Sequence, residues 1–503
     1  MLGLDPCAGW DPLKVEEKDP AGCVKARQYR QVQRVLKREE KGEHGHWWFT
    51  KKTNIETLQK LSRCFLPTEH ESYTSCPDRP VVINGYWWSA LVILNGTSGE
   101  SIWQESVLKQ FETYNIMSLF VGDYGNWITV AEMMPDVYRF IWAPETEIIS
   151  CFTDPRCVAA EHYTPPDGAD DLSVYVPAEE RGVIPIWRLQ IVDYWGSQPK
   201  EVSNNDYYWG LTEHGEWSYH PLGADWIQVP WPMPGHVHLP YSIEEYCLKL
   251  RVKPHQERDD CVLIFAKRSS YFYHATVSPV HFWSDLSREP NFTLLSTAEV
   301  EDGKPMPEGV ETMGRQTREA YEGVVGGAKV LLGMGFPPIS PSVYTALCQG
   351  TPVVLPYRSK KFELVKGGWG IYSGNYQHGP AMVLGAPYVY SYQKDNYTQL
   401  VEMVNKALVT PIERYIPDDM KLPYALSQTK AFLKRDLHAM FRKVLRKNGG
   451  RVPALKAGAR ERCAELKRCK EPFKEGRLPS TPERMREMER KGLSLTQPVV
   501  LRD

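Results

Sequence analysis

Glycines and serines crowd one stretch of this chain, residues 331–357, LLGMGFPPISPSVYTALCQGTPVVLPY. An apolar run ends in Gly333-x-Gly335, Ser340 and Ser342 follow, and a short helix-like piece leads to a second apolar run. Glycines at the end of a buried strand let the backbone approach a ligand, and the unpaired N–H groups of a following helix start suit an anion. Gly333, Gly335, Ser340 and Ser342 therefore read as a cradle for a nucleotide diphosphate, with a plain tight turn as the alternative. His236-Val-His238 sets two imidazoles on one side of an extended segment, but a metal would need a third ligand that the sequence does not identify. The 11 cysteines include no CxxC pair, so a structural zinc site is not expected. Cys64 with Cys76 and Cys151 with Cys157 are close enough in sequence to bridge in an oxidising compartment; free buried cysteines are the alternative.

The elements that must position these residues alternate between strand and helix. Residues 1–78 are charged and irregular, an N-terminal extension with one helical stretch at Ala26–Lys41 (ARQYRQVQRVLKREEK). From Arg79, RPVVING, NIMSLFVGD and YRFIWA read as buried strands, and LNGTSGESIWQESVLKQFETYN as a loop entering an amphipathic helix. Residues 151–255 are rich in Pro, Gly, Trp and Tyr and have little periodicity, so they read as the remainder of that domain with long loops. A second alternation begins at Asp260 with DCVLIFAKRSS, NFTLLSTAE, KVLLGMG, TPVVLPY and APYVYSY as strands, then YTQLVEMVNKALVTP as a helix. The expected organisation is α/β, with Rossmann-like units at 79–258 and 259–445 facing each other across a central cleft. A basic tail at 446–503 reads as disordered.

A chain of 503 residues is long enough for two or three domains. Its 42% hydrophobic and 24% charged content is that of a globular protein, and its net charge of −2 argues against nucleic acid as a partner. No run reaches the roughly 20 apolar residues of a membrane helix. The start, MLGLDPCAGWDPLK, lacks the apolar core of a signal peptide. Either the protein is cytosolic or an anchor lies upstream. Asn95, Asn291 and Asn396 begin Asn-x-Ser/Thr triplets that permit glycosylation.

Four segments, in this order along the chain, resemble the family 18 glycosyltransferases, the α-1,6-mannosylglycoprotein 6-β-N-acetylglucosaminyltransferases (N-acetylglucosaminyltransferase V), particularly the fungal type. They are SGESIWQESVLKQFETYNI, LIFAKRSSYF, GMGFPPISPSVYTALCQGTPVVLPY and YQHGPAMVLGAPYVYSY, and they span roughly Val81–Tyr415 with a weak middle. The resemblance implies a GT-B fold, UDP-N-acetylglucosamine as donor, and inversion at the anomeric carbon. It also implies a mannose 6-hydroxyl of a glycoprotein N-glycan as acceptor, no metal or other cofactor, and residence in the Golgi or secretory pathway.

The same resemblance sets the roles expected of single residues. Glu100, at the Gly-Glu position after Gly99, matches the general base; a first-turn glutamate answering the helix dipole is the alternative. Lys267, with Ser269 or Ser270 beside it, is the candidate cation for the diphosphate, and Gln377 and His378 are placed to reach the uridine or the phosphates. Glu105 reads as a solvated helix residue. A glycan on Asn95 would sit close to the base, so that site is expected to be unoccupied. Trp87, Trp88, Trp195 and Trp209 could stack on an acceptor glycan or fill cores. One departure stands out: Ile339 and Thr345 occupy positions where the family has glutamates, the second of which would meet the ribose. A donor other than UDP-N-acetylglucosamine, or a catalytically weak glycan-binding protein on the same fold, therefore stays open.

Overall fold

The computed structural model describes residues 7, 10, 23–42, 47–96, 98–153, 156–158, 182–194, 220–232, 236–337, 339–358, 377–450 and 452–453. Residues 451 and 454–503 of the expected tail, Trp195 and Trp209 lie outside them; at its start, Arg446 and Lys447 end a helix and Val452 is buried in the core, so the chain is ordered past the expected boundary.

Short runs of Val, Ile and Leu build two parallel sheets of six strands each. The first comprises β1 (Val81–Asn84), β2 (Met117–Phe120), β3 (Tyr138–Ala143), β4 (Leu189–Val192), β5 (Ile227–Val229) and β6 (Val237–His238), in the order β2-β1-β3-β4-β5-β6. The second comprises β7 (Asp259–Ile264), β8 (Thr293–Ser296), β9 (Val310–Thr312), β10 (Ala328–Leu332), β11 (Val353–Tyr357) and β12 (Val389–Gln393), in the order β12-β11-β10-β7-β8-β9. Every pairing between these strands is parallel. The second order is that of a dinucleotide-binding fold, with its reversal between β7 and β10.

Helices α1 (Val24–Lys41), α2 (Lys51–Ser62), α3 (Trp87–Ala90), α4 (Gly99–Thr113), α5 (Tyr124–Met133) and α6 (Glu145–Thr153) belong to the first half. Helix α7 (Glu244–Lys249) links the halves, and α8 (His281–Leu286), α9 (Arg318–Gly327), α10 (Ser342–Cys348), α11 (Gly379–Met382) and α12 (Tyr397–Val409) cover the second sheet. The fold is thus α/β, two Rossmann-like halves facing across a cleft, as expected.

The N-terminal extension is part of the first half. Val32, Val35, Leu36, Leu58 and Leu61 are buried in the same core as β1 to β3. Helix α2, which the sequence reading left as irregular chain, caps the edge strand. The Asn54 amide donates to Phe120 O at 2.8 Å and accepts from Phe120 N at 2.9 Å, so the open edge of β2 is covered.

At the other end, α13 (Leu422–Leu433) and α14 (Leu437–Lys447) return to the first half. Phe432 packs 5.3 Å from Phe140, Thr429 Oγ1 donates to Gln110 Oε1 at 2.6 Å, and Tyr114 donates its hydroxyl to Leu426 O at 2.9 Å.

Two chain crossings therefore join the halves, and they run side by side. Residues up to Ser242 are tied to α4: Trp103 Nε1 donates to Leu239 O at 2.7 Å, and Ser242 N to Ser106 Oγ at 2.8 Å. From Ile243 onward the chain is tied to the returning crossing, with Ile243 N donating to Met420 O at 3.1 Å and Leu422 N to Glu244 Oε2 at 2.9 Å. A disulfide from Cys247 on α7 to Cys348 on α10 then fastens the linker helix to the second half.

The two disulfides open to the sequence reading, Cys64–Cys76 and Cys151–Cys157, are both present, and Cys7–Cys23 is a further one. Cys261 is free and buried. Among the described residues, no helix is long and apolar enough to cross a membrane.

Candidate active site

Where strand order reverses, the loops leaving neighbouring strands diverge and open a crevice. After β7 come Phe265, Ala266 and Lys267, and after β10 comes the glycine loop. Phe265, Ala266 and Lys267 border a cleft of about 750 Å³ between the halves, together with Pro337, Ser340, Ser342 and Thr345, whereas residues 333–336 do not. The first half contributes the start of α4, Ser98 and Gly99, with Ile102 and Glu105 behind.

The glycine loop needs its glycines. Gly335 has φ +116°, a backbone conformation that side chains disfavour, and a Cβ there would lie 2.8 Å from Thr276 O. A Cβ on Gly333 would lie 2.2 Å from Gln377 Oε1. That close approach serves Gln377, whose Oε1 accepts from Gly335 N at 2.8 Å while its Nε2 donates to Pro337 O at 3.0 Å. Gln377 is thus committed to bracing the loop. Beyond the loop, Ser340 Oγ donates to Ser342 Oγ at 3.1 Å. The Thr345 hydroxyl donates to Pro341 O at 3.4 Å on its own helix, and Ile339 is buried.

Lys267 is accessible to water and yet walled by protein, as a residue inside a cleft should be. Burial, with help from Arg268 and Arg315, lowers its pKa from the ordinary lysine value, and Glu100 pulls in the opposite direction. That last effect crosses the cleft, because Glu100 stands in the first turn of α4 while Lys267 follows β7. Ser98 caps this helix, accepting from Ser101 N at 3.1 Å. Glu100 is half-buried and also acts on Tyr86 and Tyr194, whose pKa values are raised first by burial.

Six of the expected residues, Glu100, Ser269, Gly333, Gly335, Gln377 and His378, stand off the cleft wall. Ser269 is buried, and its hydroxyl accepts from Glu301 N at 2.8 Å; this bond fixes the turn after Lys267. His378 is fully buried, 5.8 Å from the Trp231 ring and 5.0 Å from the Tyr344 ring. Burial drops its pKa to about 4, so it is neutral at physiological pH. It belongs to a chain of rings, Trp103, Tyr194, Trp231, Tyr241 and Tyr344, that packs the halves together behind the cleft. Trp87 packs on Trp47 at 5.3 Å, and Trp88 is half-buried.

Two cleft arginines went unnoticed in the sequence. Arg315 and Arg318 lie beyond β9 and at the start of α9, and both border the cleft. The signal was Thr317, a helix N-cap that accepts from Ala320 N at 3.2 Å, but without β9 nothing set the segment at a sheet's carboxyl edge. Glu105, read as solvated, also borders the cleft. Burial pushes its carboxyl up, but Lys109 and Arg318 outweigh that and hold it below the ordinary range.

Two Rossmann-like halves with a cleft between them, one half carrying a glycine loop and a lysine at its strand-order reversal, define the GT-B class of fold. No protein-family model matches the chain, and no curated protein matches it. Among solved structures, it is similar to Anabaena HepE in complex with UDP, at 12% identity and a TM-score of 0.32 over 73% of this chain and 99% of that one. It is also similar to SnogD, a glycosyltransferase from Streptomyces nogalater, at 11% identity and a TM-score of 0.25 over 77% and 98%. A third is the glycotransferase of kitacinnamycin, at 9% identity and a TM-score of 0.26 over 75% and 100%. These likenesses are of broad outline, and the functional reading rests on the chain's own geometry.

Proposed function

We propose that this protein is an inverting glycosyltransferase that moves N-acetylglucosamine from UDP-N-acetylglucosamine to the 6-hydroxyl of a mannose on N-glycans. The reading is carried by one observation: Ser98 and Gly99, at the start of the helix that carries Glu100, face Lys267 across the cleft at the β7/β10 reversal. In this reading the donor's diphosphate lies along the glycine loop, with Lys267 as its cation and no metal. Glu100 takes the proton of the attacking hydroxyl as the new C–O bond forms and UDP leaves from the opposite side. Gln377 and Ser269 hold the loops that make the site.

Four disulfides among the described residues support an oxidising, secretory setting. Purified protein should release UDP from UDP-N-acetylglucosamine when given an N-glycan acceptor, and should keep doing so in EDTA. Release that depends on manganese would reject the metal-free mechanism.

A second reading has its own observation. Ile339 is buried and Thr345 spends its hydroxyl on its own helix, so neither position offers a carboxylate to a ribose. This favours a different sugar nucleotide, or a glycan-binding protein with weak turnover. A screen of nucleotide sugars for free nucleotide separates the two: release from a different donor supports the first, and glycan binding without any release supports the second.

A further inference from the structure

Helix α4 carries Glu100 in its first turn and Glu105 one and a half turns later, so whatever holds Glu105 also orients Glu100. Glu105 Oε1 accepts from Lys109 Nζ at 2.8 Å within the helix, and its Oε2 lies 3.5 Å from Nη1 of Arg318, in the opposite half. Arg318 is itself fixed. Its Nε donates to Glu322 Oε1 at 3.2 Å, and its guanidinium lies over the Tyr246 ring, 4.7 Å from the centroid. Glu322 in turn interacts with the Tyr246 hydroxyl. All five side chains border the cleft.

An isolated pair this exposed, at 34% and 33%, would contribute little. Here the arginine is stacked and forked between two carboxylates, so its position is set before Glu105 reaches it. Nearer Glu100, the start of α4 touches the second half again, where a Cβ on Gly99 would meet Pro341 Cδ at 3.2 Å. Two contacts along one helix fix both its approach and its rotation.

We infer that the Arg318–Glu105 pair is a clasp that holds the helix of the proposed base in register with the donor half, making Arg318 a positioning residue for Glu100. This rests on the glycosyl-transfer reading above. Arg318 already answers two carboxylates, so its role is to set where α4 stands, and donor binding does not draw on it.

The test is a double-mutant cycle on the full chain with Arg318→Ala, Glu105→Ala and both together, reading kcat, donor KM and amide exchange in the first turn of α4. Each single change should lower kcat roughly tenfold to a hundredfold, as a displaced catalytic group does. Donor KM should stay within about twofold. The double variant should lose no more than the worse single one, because both remove one contact, and exchange at Ser101–Trp103 should quicken in all three. A raised donor KM at constant kcat, multiplying losses, or unchanged exchange would each overturn the clasp. A wild type that turns over no sugar nucleotide defeats the transfer reading alone, and the exchange data still decide whether the pair holds α4 to the opposite half.

Discussion

Gln377 spends both ends of its amide on the glycine loop, accepting from Gly335 N and donating to Pro337 O. With its side chain buried at the end of that loop, it links the segment after β11 to the loop after β10. Gln377→Ala would leave a backbone N–H and a carbonyl without partners at a cost of ~1–3 kcal/mol. The variant should unfold earlier in urea and bind UDP more weakly by calorimetry. Full UDP affinity in the variant would mean that the loop is not where nucleotide binds.

Glu100→Gln keeps the size of the side chain and removes its capacity to take a proton. Transfer should fall by roughly 10²- to 10⁴-fold, the usual contribution of a positioned base. UDP affinity should be nearly unchanged. A variant with wild-type turnover would return Glu100 to its other role, a first-turn acid answering the helix dipole.

Lys267→Met should weaken UDP binding by roughly tenfold or more, the scale of a lost charge-assisted bond. The pH profile adds a second check. Burial lowers the pKa of this lysine, so its charge is lost at a pH below the ordinary 10.5. UDP affinity of the wild type should decline on that alkaline limb before ordinary lysines titrate, and the Met variant should lack the limb. Identical profiles would take Lys267 out of the site.

Acid should loosen the protein through two buried histidines. Burial lowers His220 to about 3 and His378 to about 4, against an ordinary 6.5. Between those values the unfolded chain binds protons that the folded one does not, so stability is full above about 6.5 and is lost as pH falls toward 4. His378 has φ +50°, which asparagine tolerates. His378→Asn should therefore flatten the urea-midpoint profile across that window. A profile as steep as wild type would place the effect elsewhere.

Cys247→Ser with Cys348→Ser opens a loop with a sequence separation of 101. A crosslink of that span is worth ~4–5 kcal/mol on chain-entropy grounds. The double variant should melt earlier, and non-reducing peptide mapping of the wild type should recover the Cys247–Cys348 pair. Free thiols at both positions would remove the linkage.

Strands were legible in the sequence where three or more branched or aliphatic residues stood together between turn residues, as in VVIN, DDCVLI and AKVLL. The runs LQIV and IQV of β4 and β5 escaped, since they are short and stand amid aromatic, proline-rich chain. Helices α13 and α14 escaped because what they bury is a surface supplied by residues some three hundred positions earlier.

The tight loop was readable because glycine identity is itself a geometric signal at Gly333 and Gly335. The partners of Lys267 and Glu105 were not, because a charge pair across two domains leaves no spacing in the chain. The disulfides divide the same way: Cys64–Cys76 and Cys151–Cys157 are neighbours in sequence, whereas Cys247–Cys348 is joined only by the fold.

The return of α13 and α14 bears on the order of biosynthesis. A nascent chain that has emerged as far as β6 holds every strand of the first sheet but lacks the two helices that seal Phe140 and Gln110. The second half must leave the ribosome before those helices arrive. The first half, though earlier in the message, is therefore the last to be completed. A chaperone that shields the exposed face near Phe140 during translation would be guarding a gap that only α13 and α14 can close.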